Sequence, residues 1–173
     1  NLGSKINMKY PAVILKGDHS VGKCISIAIA HKGMLQDAGA KMIHLGKHPR
    51  SQIISKSIAH HGGNATYRGL VLINKNAEHA VADVVCDTLI LDKISKSDTF
   101  PTETILNKTA TLKHEAKVTD LDQQRLFYLT SRGIDPTTAK QLMVLGFVKA
   151  FSYELPIEYF VELNRLLKLD IKE

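Results

Sequence analysis

The chain has 173 residues and 44% of them are hydrophobic, so it is long enough to bury a core and is not disordered by composition. Its formal net charge is +6, but the lysines are spread along the chain and aromatic residues make up only 6% of it, which argues against nucleic-acid binding. Apolar runs are too short to span a membrane and no secretory leader is recognisable, so we expect a cytoplasmic protein.

The first two thirds of the chain predict β-structure. Short apolar runs, some of them alternating like a strand with one buried face, recur between turn-forming residues. The predicted strands cover residues 12–15, 24–31, 51–58, 66–73, 84–91 and 110–118. Turns are predicted at 32–33, 46–49, 62–64 and 74–76. Many short strands without helical patterns between them indicate a sandwich, a barrel or a stacked solenoid, and periodicity alone leaves these three open.

The pattern changes near Asp120, where a helix is predicted to begin. Asp120 would be its N-cap, with Gln123 in the capping-box position. Gly133 would end this helix, because glycine favours the left-handed conformation that follows a helix C-terminus.

Two further helices are predicted in the last part of the chain. Asp135 would cap the second helix and Pro136 would be its first residue, and Pro156 would open the third. The sequence therefore predicts a β-part over residues 1–118 and a helical part over residues 119–173.

Residues 17–24 fit the phosphate-binding loop pattern at every position except the last. Cys24 stands where a Ser or Thr hydroxyl would bind magnesium, and the alternating run that follows predicts a strand instead of a helix. We interpret residues 17–22 as a hairpin turn. Nucleotide binding stays a minor alternative, which ATP hydrolysis that is lost in Lys23→Ala would support.

Histidines occur near several predicted turns. His60 and His61 precede two glycines, and His44 and His48 flank Gly46. Cysteines and clustered carboxylates are missing from the neighbouring sequence, so we expect these histidines to lie in exposed turns and not to bind a metal.

The two cysteines, Cys24 and Cys86, are too few for a disulfide framework or a four-thiolate metal site. Metal chemistry would need ligands of other residue types or from another chain. By composition, Cys86 is an ordinary buried cysteine. The alternative is a thiolate that accepts sulfur or ligates iron.

His114 and Glu115 lie in the last predicted strand. Because side chains alternate across a strand, the two residues should point to opposite faces. A single ion could contact both only if a bulge redirected one of them.

Seven segments carry a resemblance to a known family. They occur in the following order: 39–44 (GAKMIH), 53–58 (IISKSI), 67–71 (YRGLV), 86–87 (CD), 97–101 (SDTFP), 114–116 (HEA) and 126–134 (LFYLTSRGI). Together they resemble the SufB/SufD family of the SUF iron–sulfur cluster assembly system, and its SufB branch more closely than SufD. The resemblance covers the chain from about residue 17 onward and implies the C-terminal part of a longer protein.

The resemblance implies a fold and a set of partners. The fold is a right-handed parallel β-helix followed by a small helical domain. The implied partners are an ABC-type ATPase, SufC, which docks on the helical domain, a SufD or second SufB chain, which pairs through the β-helix, and a persulfide donor of sulfur. The chain would be an assembly scaffold and not an enzyme. The cluster type and the binding of a flavin stay open.

Site residues follow from the resemblance by position. Cys86 matches the family's sulfur acceptor and cluster anchor, Glu115 matches a proposed glutamate ligand, and His114 matches a histidine of the same motif. Lys113 replaces an acidic residue that some members carry, so no carboxylate role is expected there. The implied SufC-binding residues are Phe127, Tyr128, Arg132, Gly133, Ala139 and Phe147. The remaining alternative is a SufD-like structural subunit without cluster ligands of its own.

Overall fold

The computed structural model describes residues 3–149 and 156–170, and in these residues nine β-strands precede three α-helices. The strands are β1 (Ile6–Lys9), β2 (Ala12–Leu15), β3 (Val21–Ala30), β4 (Leu35–His44), β5 (Arg50–Ala59), β6 (Asn64–Ile73), β7 (Val81–Ile90), β8 (Lys96–Ile105) and β9 (Thr111–Asp120). The helices are α1 (Gln123–Ser131), α2 (Pro136–Val148) and α3 (Ile157–Asp170). The chain forms two compact units, residues 1–120 and 121–173.

The first unit is a parallel β-solenoid of about four turns. One sheet has the order β1-β4-β6-β8, with β2 also pairing with β4, and the other has the order β3-β5-β7-β9. Every strand pair is parallel, and from β3 onward successive strands alternate between the two sheets. This confirms the solenoid implied by the family resemblance and rules out the sandwich and the barrel.

Alternating side chains build the interior of the solenoid. On β7, for example, Ala82, Val84 and Cys86 are buried, while the residues between them are partly exposed. Met42 and Ile53 belong to the same buried cluster. Burial of a Val, Ile or Met side chain in this way stabilises the fold by roughly 1.5–3 kcal/mol.

The periodicity did not identify β1, β4 or β8. Asp37 and Gly39 interrupt the apolar pattern of β4, although both are buried in the structure. Pro101 argues against a strand at β8, since proline cannot donate a ladder hydrogen bond. It is tolerated there because β8 is the edge strand of its sheet within the described residues.

The predicted hairpin turn at residues 17–22 is wrong. β2 and β3 belong to different sheets, so the chain turns a corner of the solenoid between them. The same corner occurs three times, at His19 and, one and two turns later, at His48 and His79. These residues have φ values of 58°, 54° and 53°, respectively. The rings of His19 and His48 stack with centroids 4.8 Å apart, and those of His48 and His79 with centroids 5.1 Å apart.

Two of the histidines predicted to be exposed are buried. His44 ends β4 at 0% exposure, with Nε2 2.9 Å from the Ser51 hydroxyl and Nδ1 3.2 Å from the Leu72 carbonyl oxygen. His60 is 2% exposed, and its Nδ1 lies 2.8 Å from Nδ1 of His61. His48 and His61 are exposed, as predicted.

The helical unit begins two residues later than predicted. Asp122 is the N-cap of α1, since its carboxylate accepts hydrogen bonds from the backbone N–H groups of Gln124 and Arg125, and Asp120 is the last residue of β9. Gly133 has a φ of 85°, which confirms its predicted left-handed role. Asp135 caps α2 as predicted.

Helices α2 and α3 contact each other. The side-chain amide of Gln141 donates a hydrogen bond to the Lys168 carbonyl oxygen at 3.0 Å, and Val144 and Leu167 are fully buried. Across the described residues, the helices fall short of the length and apolar character that a bilayer crossing requires.

Candidate functional site

Cys86 lies inside the solenoid. It is 3% exposed and belongs to the buried cluster that also contains Val84 and Tyr67. Burial raises the pKa of its thiol to about 11, and a hydrogen bond with the Thr99 side chain on β8 opposes this rise. The thiol is therefore protonated, and a poor nucleophile, while it stays in this environment.

Strand β9, which pairs with the strand of Cys86, places His114 and Glu115 on opposite faces. β7 and β9 pair without interruption, with Val84 opposite His114 and Val85 opposite Glu115. Val84 is buried, so His114 shares the inner face with Cys86, two residues away in register. Glu115 is exposed on the outer face, and no bulge redirects it.

A carboxylate that the sequence did not indicate contacts His114. Nδ1 of His114 lies 2.5 Å from Oε1 of Glu103, which is on β8. The two side chains are 14% and 31% exposed, and they join the last strands of the two sheets across the interior. The other ring nitrogen, Nε2, is buried and has no hydrogen-bond partner among the described residues.

Tyr67 lies in the same buried cluster as Cys86. It is 2% exposed and its hydroxyl has no hydrogen-bond partner among the described residues. Burial raises the pKa of this phenol, and the nearby thiols of Cys86 and Cys24 and the Glu103 carboxylate raise it further. Cys24 is half-buried, packs against the same core and has a pKa raised by burial. Both thiols therefore belong to one interior region.

Two side chains of this region could act as metal ligands. Cys86 offers a thiol and His114 a free imidazole nitrogen, and sulfur and imidazole ligands suit iron and zinc. Within residues 3–149 and 156–170, no three His, Cys, Asp or Glu side chains form a group able to hold a metal ion. Cys86 and His114 therefore fit part of a site for an iron-containing group.

The residues implied for partner binding differ in accessibility. Phe127 and Tyr128 on α1 are 73% and 57% exposed, and the Arg132 guanidinium lies 5.1 Å from the Tyr128 ring centroid. Phe147 is half-buried, and Ala139 is fully buried. Phe127, Tyr128 and Arg132 therefore present an accessible surface, whereas Ala139 is not accessible to a partner.

The prediction overlooked Thr99, Glu103 and Tyr67. Thr99 and Glu103 have the same parity on β8, where they pair with the buried residues Tyr67 and Val71. An alternation continued through Pro101 would have placed both residues on one face, but proline disfavours a strand because it cannot donate a ladder hydrogen bond. Their contacts with Cys86 and His114 join different sheets and leave no local signal in the sequence.

The loop that resembles a phosphate-binding loop does not end at a helix. β3 begins at Val21 and includes both Gly22 and Lys23. The structure thus lacks, at this loop, the helix N-terminus whose N–H groups hold phosphate in such sites. The geometry of this loop therefore argues against the minor alternative of nucleotide binding there.

Comparisons with known proteins identify the family of the chain. A family model described as "SUF system FeS cluster assembly, SufBD core domain" matches residues 1–147. The chain is 52% identical to the iron–sulfur cluster assembly protein SufB of Bacillus subtilis over 172 residues, which cover 99% of this chain and 37% of that protein. It is 49% identical, with the same coverage, to SufBD family proteins of Staphylococcus epidermidis and Staphylococcus aureus. The chain thus spans little more than a third of these relatives, and it belongs to the SufB/SufD family of the SUF system for iron–sulfur cluster assembly.

Proposed function

We propose that the chain is part of a scaffold for iron–sulfur cluster assembly, in which Cys86 accepts sulfur and, together with His114, holds iron of the nascent cluster. One observation carries the proposal: in a family that assembles such clusters, a thiol and an unpartnered imidazole nitrogen share the inner face of adjacent strands. The cluster is cargo that the scaffold releases, so the chain acts as an assembly platform and not as an enzyme.

Sulfur transfer to Cys86 needs no net oxidant. The Cys86 thiolate attacks the outer sulfur of a donor persulfide, a new S–S bond forms at Cys86, and the donor's S–S bond breaks. The donor leaves as a thiolate and takes up the proton that Cys86 released. The environment of Cys86 controls this step, because only the thiolate is nucleophilic.

Burial makes this transfer depend on a change of structure. The raised pKa of Cys86 keeps the thiol protonated inside the closed solenoid. We propose that a SufC-type ATPase docks on the exposed surface of α1 and that ATP binding opens the solenoid at the β8 and β9 edges. Opening would hydrate Cys86 and lower its pKa, since water stabilises the thiolate.

Further ligands would come from outside this chain, for example from a SufD-type partner or another copy of the protein. The two cysteines of this chain cannot supply the four thiolates of a typical cluster. Glu115 faces away from Cys86, so it would reach the same iron only after β9 rearranges. Mixed sulfur and nitrogen ligation would favour release of the cluster. The proposal requires no flavin.

The test is cluster assembly by Cys86→Ser in the protein at its natural length, with the SUF ATPase, a persulfide donor and iron. We expect the variant to bind the ATPase but to assemble almost no cluster, as measured by absorbance and by acid-labile sulfide. Cys24→Ser is the matched control and should retain most of the yield. An unchanged yield in Cys86→Ser would contradict the proposal and favour a purely structural, SufD-like subunit.

A further inference from the structure

The bond between Glu103 and His114 fixes which ring nitrogen carries hydrogen. A carboxylate only accepts hydrogen bonds, so the contact of Nδ1 with Oε1 of Glu103 makes Nδ1 the donor. In the neutral ring the lone pair then lies on Nε2. Nε2 is also the atom that is buried without a partner among the described residues.

An unpartnered buried nitrogen needs an explanation. Buried polar atoms nearly always have partners, and those without one often mark functional positions. Histidines that ligate metals generally donate their other N–H to a carboxylate or carbonyl, which fixes the tautomer and the direction of the ring. Glu103 and His114 reproduce this arrangement, with the coordinating position still open.

The position of Glu103 supports the same interpretation. It lies on β8 opposite Val71, and His114 lies on β9 opposite Val84, so the bond spans the interior between the two sheets. A partly exposed hydrogen bond of this kind contributes little to stability. The specific effect of the contact is on the orientation and tautomer of the imidazole beside Cys86.

We propose that Glu103 is a positioning residue that keeps Nε2 of His114 unprotonated and directed into the solenoid, where it takes a divalent transition-metal ion. The inference rests on the proposed function only in treating His114 as a ligand. It requires neither sulfur transfer to Cys86 nor the ATPase partner, so it can fail or succeed independently of the Cys86→Ser experiment.

Two measurements on the protein at its natural length test this role without cluster assembly. The first is long-range ¹H–¹⁵N correlation NMR on protein labelled at histidine, in which His114→Ala assigns the signal. We expect the wild-type ring to be the Nδ1–H tautomer. Glu103→Ala should give a mixture of tautomers, and Glu103→Gln should restore much of the original form, because its amide oxygen still accepts a hydrogen bond.

The second measurement is a Co²⁺ titration followed by visible absorbance. His114→Ala should remove the site, and Glu103→Ala should weaken Co²⁺ binding roughly 10–100-fold, as loss of an outer-shell partner typically does. Glu103→Gln should lose less. Asp98→Ala is the matched control, because Asp98 is an exposed acidic residue on the opposite face of the same strand. This variant should bind Co²⁺ as tightly as the wild type does.

Three results would overturn the proposal. The first is wild-type protein that binds Co²⁺ no better than His114→Ala. The second is a Glu103→Ala variant whose tautomer and Co²⁺ affinity are both unchanged. The third is lost affinity with an unchanged tautomer, which would make Glu103 a direct ligand.

Discussion

The side chain of Thr99 on β8 forms a hydrogen bond with the thiol of Cys86 on β7, and this contact joins the two sheets of the solenoid. It lowers the pKa of Cys86, in opposition to the larger effect of burial. Thr99 therefore affects how readily the thiolate forms. It does so from a strand that belongs to the other sheet.

Thr99→Val should slow the chemistry of Cys86. Valine has nearly the same shape but no hydroxyl, so the pKa of Cys86 should rise further above its ordinary value. The measurement is the rate of Cys86 alkylation by iodoacetamide from neutral to alkaline pH, followed by mass spectrometry. Thr102→Val, at an exposed position of the same strand, is the control. An equal or faster rate in Thr99→Val would show that the hydroxyl does not stabilise the thiolate.

His44 should make the protein less stable in mild acid. Burial lowers the pKa of His44 below its ordinary value of 6.5, and a hydrogen bond to the Leu72 carbonyl opposes this effect. The unfolded chain therefore binds a proton at higher pH than the folded chain does. The contribution of His44 to stability is present above pH 6.5 and is lost as the pH falls below it.

Urea unfolding across this pH range measures the effect. His44→Gln should unfold with a weaker pH dependence than the wild type, although its stability at neutral pH should be lower. Thr102→Val, at an exposed position and without loss of a histidine, is the control and should keep the wild-type dependence. The same slope in His44→Gln and the wild type would exclude His44 as the titrating group.

Gly39→Ala should strongly destabilise the solenoid. A Cβ at residue 39 would lie 1.6 Å from the backbone oxygen of Arg68 on the adjacent strand, so the strands would have to separate. Gly17→Ala is the control, because a Cβ there meets no atom within 4 Å. Thermal unfolding should show a large decrease in melting temperature for Gly39→Ala and almost none for Gly17→Ala. Similar melting temperatures for the two variants would contradict the close strand approach.

The relation between Cys86 and His114 was partly predictable from sequence. Alternation within residues 84–91 and 110–118 assigns side chains to faces, so the separation of His114 from Glu115 needed no structure. The choice between solenoid and sandwich could not be predicted from periodicity. It depends on which strands pair, and local periodicity carries no information about pairing.

The irregular length of the solenoid turn hid the repeat. Cys24, Ile53, Val84 and His114 occupy one column across β3, β5, β7 and β9, at spacings of 29, 31 and 30 residues. Their side chains have nothing in common except the inner face. A search for repeated residue types therefore finds no period, although the backbone repeats. The contact of Glu103 with His114 was beyond prediction for a related reason, since it links strands of different sheets.

The exposed surface of α1 predicts a specific loss of partner binding. Phe127 is 73% exposed, so Phe127→Ala should leave the helical unit folded. If the SUF ATPase docks there, the variant should bind it at least about tenfold more weakly, because buried aromatic residues dominate such interfaces. Calorimetric titration with the ATPase measures the affinity. Tyr159→Ala on α3 is the control, with 70% exposure, and equal affinities of both variants would place the docking surface elsewhere.

The start of α1 gives a prediction that separates two neighbouring aspartates. The Asp122 carboxylate accepts hydrogen bonds from the N–H groups of Gln124 and Arg125 at 3.0 and 3.1 Å, whereas Asp120 ends β9. Removal of an N-cap side chain typically costs about 1 kcal/mol. Asp122→Ala should therefore lower the free energy of unfolding of the helical unit by about that amount, and Asp120→Ala should leave it nearly unchanged.

Urea unfolding followed by the helical circular dichroism signal measures the difference between these variants. Asp122→Asn should recover most of the stability that Asp122→Ala loses, because asparagine caps a helix about as well as aspartate does. The opposite order, with Asp120→Ala the less stable protein, would mean that α1 begins where the capping-box pattern had placed it. The cap would then lie at the junction with β9, and not two residues beyond it.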